Sequence, residues 1–395
     1  MFDSRVDPFW AGVWGAGAGA DWAGRDIAGQ RISMELMKPP WWWHDTPGGA
    51  LGRLAAGRGG QNRLAGLAAI NLWRVISAEQ LAAITGDLSW AVSRPANLGC
   101  LLDAGLIEAG RVPWSGRDKF PLLLRPARQG LDEFLATLRW RDRAGVIPAR
   151  WLGSGSADRH SLLATELCLR AAEHLPDIPL VVGESGCGVA DMTGDARFAQ
   201  KRWRPDGVLV RRDGLRIAVE MTASATGLAT KIQHWIQVLS ADAGHQLVVV
   251  FVGAARSDNP GFARRLQHSL VKGLQDLHAI RAGVPGRMLC AGWTDWFPGP
   301  HEISNRFDHL VAQRLDGNLW RPVSLLDTTL VPGPTGPGAL DVLGRAGSLL
   351  GIPCWLRGQL GRIDVDGWLL DCLGRPGFGI RQNDENSLAG GQGMS

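Results

Sequence analysis

The chain contains no tyrosine, although it carries 18 tryptophans in 395 residues. Without that phenol it cannot form a phosphotyrosyl bond with DNA. The chemistry of tyrosine recombinases, topoisomerases and tyrosine relaxases is therefore excluded. Lysine is almost as scarce: Lys38, Lys119, Lys201, Lys231 and Lys272 are the only lysines among 42 basic residues. GC-rich coding explains that bias, yet it makes each lysine worth placing. The six cysteines form no Cys-x-x-Cys pair, which argues against a zinc ribbon, and scattered thiols fit a reducing cytosol. No run reaches the roughly 18 apolar residues of a membrane span. The apolar stretch 9–20 lacks the positive flank of a signal peptide, because Arg5 is offset by Asp3 and Asp7. The expectation is a soluble, cytoplasmic protein with no membrane partner.

What is present divides into segments. Hydrophobic content of 45% is ample for a core, and the length fits two or three domains of about 150 residues. Net charge is only +4, but residues 56–150 hold 13 basic and 8 acidic residues. A basic segment on a nearly neutral body is the footprint of nucleic-acid binding. Residues 1–55 are rich in Gly, Pro and Trp and follow no period, so they read as an irregular arm. The triple Trp41-Trp42-Trp43 either stacks on bases or tucks onto the domain that follows, and the second reading is preferred.

Residues 56–140 read as three helices and a hairpin. Leu64, Leu67, Ile70 and Trp73 line one face. Ser77 to Gln80 is a capping box opening the second helix, and a third helix is expected from about Ser93 to Ala104, with Pro95 in its first turn. Strands at 106–112 and 120–126 flank a turn, WSGRDK, and a helix at 128–139 closes the unit. This phrase, through LLDAGLIEAGRV and PLLLRPARQGLDEFL, resembles a winged helix-turn-helix. The resemblance implies that the third helix enters the major groove and the wing touches phosphate. The candidate DNA contacts are then Arg94 and Asn97 on the helix, where Arg pairs with guanine and Asn with adenine. Arg111, Arg117 and Lys119 in the wing would contact the backbone. Dimerisation or protein contact is the alternative use of such a module.

A linker is expected at 141–156. From 157 to 295 the order is helix, three strands, helix, strand, helix, strand, with the turn Arg212-Asp213-Gly214 making a hairpin. The helix at 226–240 carries Leu228, Ile232, Trp235, Ile236 and Leu239 on one face. The run QLVVVFV (246–252) reads as a central strand buried on both faces. Residues 296–395 form an extension, with a small β unit near its end and a disordered tail.

Acidic residues mark this third segment: Glu166 in its first helix, Glu184 ending its first strand, Asp206 entering its second and Glu220 ending its third, with Lys231 one helix later. Carboxylates on adjacent strands can hold one Mg²⁺ (or Mn²⁺) through oxygen. Such a metal lowers the pKa of its water and stabilises charge on a phosphate, and a neighbouring lysine can orient the water. The spacing Pro205-Asp206…Glu220 followed by Lys231 resembles the PD-(D/E)xK nuclease superfamily. More narrowly, HSLLATELCLRAAEH, RWRPDGVLVRRDGLRIAVEMTAS and LATKIQHWIQ resemble the replication-relaxation family of plasmids and mobile elements. The resemblance covers about 61–255. It implies an α/β (α+β) chain, an N-terminal winged helix-turn-helix followed by a restriction-endonuclease-like αβββαβ domain. It implies binding to double-stranded DNA in plasmid replication or mobilisation, beside a separate relaxase or replication protein, and is compatible with a homodimer. Carried over, Glu184, Asp206, Glu220 and Lys231 are the site residues, with Asp206 and Glu220 the metal ligands and Glu166 a further candidate. Thr222 stands where the superfamily has its lysine. Metal-dependent nicking and an inert nuclease-like domain in a regulator or scaffold therefore both stay open. Glu166 has a plain alternative, pairing with Arg170 four residues on.

Overall fold

A computed structural model of the chain describes residues 5–11, 20–44, 54, 59–112, 122–128, 131–137, 145–147, 158–201, 203–223, 226–242, 246–254, 261–276, 283–334 and 349–357. It is a mixed α/β protein. Among the described residues it has 12 helices, a four-stranded antiparallel sheet and a seven-stranded mixed sheet. No helix among the described residues is long and apolar enough to cross a membrane.

The N-terminal unit runs β1 (Asp21–Ala23), α1 (Arg25–Ser33), α2 (Gly60–Trp73), β2 (Ile76–Ser77), α3 (Ala78–Thr85), α4 (Ala96–Asp103), β3 (Ile107–Arg111), β4 (Leu123–Pro126) and α5 (Leu131–Thr137). Its sheet order is β1-β3-β4-β2. The capping box expected at Ser77 is formed: Ser77 Oγ accepts from Gln80 N, Gln80 Oε1 accepts from Ser77 N, and Gly86 ends α3 in a left-handed turn. The expected α4 is shorter than its sequence pattern. Pro95 is the N-cap rather than a first-turn residue, because a proline pushes the residue before it out of the helical region.

The arm is not irregular throughout. Asp21–Ala23 pairs antiparallel with β3, Trp22 opposite Gly110, and α1 follows. Trp22 Nε1 donates to Asp158 Oδ2 at 2.8 Å, and the Arg125 guanidinium lies 4.3 Å over the Trp22 ring. The triple Trp tucks onto the N-terminal unit: Trp42 is buried, and a Cβ on Gly99 of α4 would meet Trp41 at 2.7 Å and Trp42 at 3.3 Å. Arg25 ties this layer down, bonding the Asp103 carboxylate and carbonyl and the His44 carbonyl.

The second unit runs α6 (Asp158–His174), β5 (Leu180–Gly183), α7 (Val189–Thr193), β6 (Gly207–Val210), β7 (Arg216–Thr222), α8 (Leu228–Ala241), β8 (Leu247–Gly253), α9 (Phe262–Gln275) and β9 (Met288–Gly292). After the short helices α10 (Trp293–Trp296) and α11 (Asn305–Asp308) come β10 (Val311–Asp316) and β11 (Leu319–Ser324), then α12 (Cys354–Arg357). The sheet order is β11-β10-β9-β8-β7-β6-β5. The middle pairs β7–β8 and β8–β9 are parallel, and the outer pairs are antiparallel. As the apolar run required, β8 is central and buried but for Gly253 at its end. The sheet does not stop near 295: the hairpin β10–β11 continues it, a pairing no local pattern announces. Of the β unit expected at 356–372 only Leu356 and Arg357 are described, and they end the helix α12; the rest lies outside the described residues.

The two units share one apolar core. Gly351 packs its backbone on Ala68 and Leu72 of α2, and its carbonyl accepts from Trp73 Nε1 at 2.9 Å. The N-terminal arm pins the junction. Arg5 bonds Glu166 and Glu173, and Arg170 bonds Asp7. Phe9 stacks on Trp293 at 5.7 Å.

Candidate functional site

The three strand ends expected to carry acids do meet. β5 and β6 pair with Gly183 opposite Gly207, so Glu184, just past one strand, and Asp206, just before the other, flank the same edge. Gly207 also stands opposite Val219 of β7, and Asp206 N donates to Val219 O at 3.0 Å. A Cβ on Gly207 would meet Cys168 of α6. The Val219 side of β7 therefore faces α6. Glu220, one residue on, faces the other layer, which here is α8.

The α8 stripe expected from the sequence is buried at Leu228, Ile232, Trp235, Ile236 and Leu239. It delivers two donors to Glu220. Lys231 Nζ donates to Glu220 Oε2 at 2.5 Å, and Trp235 Nε1 donates to Glu220 Oε1 at 2.9 Å. The same ammonium is 4.0 Å from Asp206 Oδ2. Asp206 Oδ2 also accepts from Met221 N at 2.7 Å. The helical lysine thus reaches the strand ends, across the gap left by Thr222, while its side chain stays 41% exposed.

The electrostatics follow from burial. Desolvation pushes Glu220 up to about 7 against the pull of Lys231, and the Asp206 charge pushes the same way. Burial would lower Lys231, but Asp206 and Glu220 outweigh it and keep the ammonium charged.

One participant escaped the sequence reading. His160 on α6 is held by Met221 O, 3.1 Å from its Nδ1. A carbonyl only accepts, so Nδ1 carries the proton. Burial first, then the Lys231 charge, lowers the His160 pKa, and Asp206 opposes them. The histidines show no zinc-ligand spacing along the chain, and His160 reaches the site through its contact with β7. The signal available was its place in the first turn of the helix packed on β5, β6 and β7.

Glu166 does not join this cluster. It is buried and accepts from Arg5, Arg170 and Gln80, as the plain alternative held. Burial pushes its carboxyl up, but Arg5 and Arg170 more than offset that and hold it at about 2. It is a strut between the arm, α3 and α6. Glu184 stays at the edge of the site, ion-paired with Arg74 from the end of α2. Cys187 is buried beside the Val182 and Gly183 carbonyls, and burial pushes its thiol well up, which leaves it inert.

The expected DNA contacts are scattered. Arg94 is exposed but precedes α4 rather than lying on it. Asn97 is on α4, half-buried, and its Oδ1 accepts from Arg63 at 3.2 Å. Arg111 is exposed at the end of β3. Arg117 and Lys119 lie outside the described residues.

No metal-binding group of three or more His, Cys, Asp or Glu occurs among the described residues. The Asp206–Glu220 pair nevertheless fits a hard cation. Its donors are oxygens, both carboxylates already face one positive charge, and Asp206 Oδ1 has no hydrogen-bond donor among the described residues. Mg²⁺ is commonly held by one or two carboxylates with water and phosphate completing its shell. No protein-family model, curated protein or solved structure matches the chain.

Proposed function

We propose that the chain is a DNA-binding protein of the replication-relaxation type, acting in plasmid or mobile-element replication or mobilisation. In this reading α2, β2, α3, α4, β3 and β4 are a winged helix. The sheet with α6, α8 and α9 is a PD-(D/E)xK-like domain that hydrolyses a phosphodiester bond. The observation that carries the reading is the convergence of Lys231 on both Glu220 and Asp206.

Each residue has a part in that chemistry. Asp206 and Glu220 would hold the cation, and a bound Mg²⁺ or Mn²⁺ supplies Lewis-acid polarisation and a more acidic water. Lys231, partly exposed, swings from its carboxylate partners to the phosphate and neutralises charge developing there. Trp235 keeps Glu220 oriented through Oε1. His160 fixes the Met221 carbonyl, and Met221 N fixes Asp206, so β7 holds both sides of the site.

A second reading, an inert nuclease-like domain in a DNA-binding regulator or scaffold, is favoured by a different observation. Both Glu220 oxygens already have protein donors, and its burial raises its pKa. Plasmid nicking with Mg²⁺ or Mn²⁺ separates the two. Hydrolysis requires nicking by the wild type and its loss in Asp206→Ala, Glu220→Ala and Lys231→Ala. DNA binding without metal-dependent nicking supports the second reading.

A further inference from the structure

Arg74 belongs to the N-terminal unit yet stands in the carboxylate site of the other. α2 ends at Trp73, and Arg74 turns the chain with φ 68° and ψ −55°, a strained conformation for a residue with a Cβ. The turn carries its guanidinium across the unit junction onto Glu184, where the two side chains are 15% and 12% exposed. Gly183 permits this approach: a Cβ there would meet Leu72 O at 2.6 Å and the Trp73 ring at 2.8 Å.

Because Glu184 and Asp206 flank the same end of the β5–β6 pair, Arg74 sits beside Asp206 and feels its charge. Arg204, two residues before Asp206, is half-buried and makes no hydrogen bond or ion pair among the described residues. Burial first, then repulsion from Arg204, lowers the Arg74 pKa to about 10. Arg74 Nε is buried without a hydrogen-bond partner. Two guanidiniums thus flank Asp206: Arg74 is ion-paired with Glu184, and Arg204 faces the Asp191 carboxylate without a bond to it. Such a group has donors to spare and calls for an anion with several oxygens.

We propose that Arg74 and Arg204 form a seat for one phosphate of a DNA backbone next to Asp206, assembled from both units. The seat rests on the reading of Asp206, Glu220 and Lys231 as a DNA phosphodiester site. Guanidinium forks match phosphate oxygens two at a time. Glu184 holds the Arg74 fork in place and yields it when phosphate arrives. Through Arg74, docking of the DNA-reading unit and loading of the acidic site become one event.

The test is binding of a fluorescent duplex, without metal, across a series of salt concentrations. Arg204→Gln and Arg74→Gln should each weaken binding several-fold and flatten the slope of log K against log salt by about one. Glu184→Gln should tighten binding by freeing Arg74. Arg204 makes no bond that folding needs, so its variant remains informative if Arg74→Gln unfolds. Weaker binding with an unchanged slope in both arginine variants would make Arg74 a strut and overturn the seat. If the slopes flatten but Asp206→Ala leaves nicking unaffected, the seat stands and the hydrolytic reading falls. If the slopes do not move while Asp206→Ala abolishes nicking, the hydrolytic reading stands and the seat falls.

Discussion

Lys231 Nζ stands 2.5 Å from Glu220 Oε2, on a carboxylate that is almost wholly buried. The pair is a folding interaction as well as a chemical one, and its two members are not equally placed. Glu220 is 5% exposed and Lys231 41%. Removing the lysine strands a buried carboxylate, although Glu220 can escape by taking a proton. Lys231→Met should therefore destabilise by roughly 1–3 kcal/mol, below the full cost of breaking a wholly buried pair. Glu220→Gln combined with Lys231→Met should lose less than the sum of the single losses. Urea denaturation of the four proteins measures this, and strict additivity would deny the pairing.

Glu166 sets an acid limit on the junction. Its carboxyl is held at about 2 against an ordinary 4.5. A depressed carboxyl stabilises the fold above its unfolded pKa, and the contribution is lost as pH falls through the folded value. Stability should thus be full above pH 4.5 and fall between there and pH 2, with Glu166 contributing roughly 3 kcal/mol. In Glu166→Gln that part of the acid dependence should vanish. Thermal melts at a series of pH values read it, and an unchanged acid limb would exclude Glu166 as the cause.

Gly183 is the contact point of the two units. Its missing Cβ leaves room for the Leu72 carbonyl and the Trp73 ring. Neither backbone nor a packed indole can give way cheaply. Gly183→Ala should cost about 1–3 kcal/mol as overpacking and pull Arg74 away from Glu184. Limited proteolysis should then cut more readily between the units. A variant as stable and as resistant as the wild type would show that the junction has slack.

The Trp layer covers the helix expected to read DNA. Trp41 and Trp42 lie on Gly99 of α4, and Arg25 sits 4.4 Å under Trp43 while bonding Asp103. Trp42→Ala, and independently Arg25→Ala, should loosen this cover. Duplex affinity should then rise several-fold, and Cys100 on α4 should react faster with a thiol reagent. A fall in affinity in both variants would instead make the layer part of the DNA-binding surface.

The α8 stripe, the Ser77 capping box, the apolar β8 and the turn at Arg212-Asp213-Gly214 were all legible locally. Each is a periodicity or a turn chemistry contained in a short window. The acidic pair was legible as well, since Asp206 and Glu220 end adjacent strands of one hairpin, and a hairpin fixes its own register. The packing partners were not. Whether Lys231 faced solvent or Glu220 depended on how α8 is laid on the sheet. The Glu166–Arg170 step was legible, but Arg5 reaches Glu166 only because the arm folds back onto a helix 161 residues away. His160 and Arg74 arrive at the strand ends from two other helices. The missing tyrosine and the rare lysines, by contrast, were decided by composition alone: a nucleophile absent from the chain is absent from every fold of it. Sequence determines which groups exist and which short elements they form, because those rest on local propensity. Which groups meet, and which are buried or partnered, is set by long-range packing, and only the tertiary structure decided it.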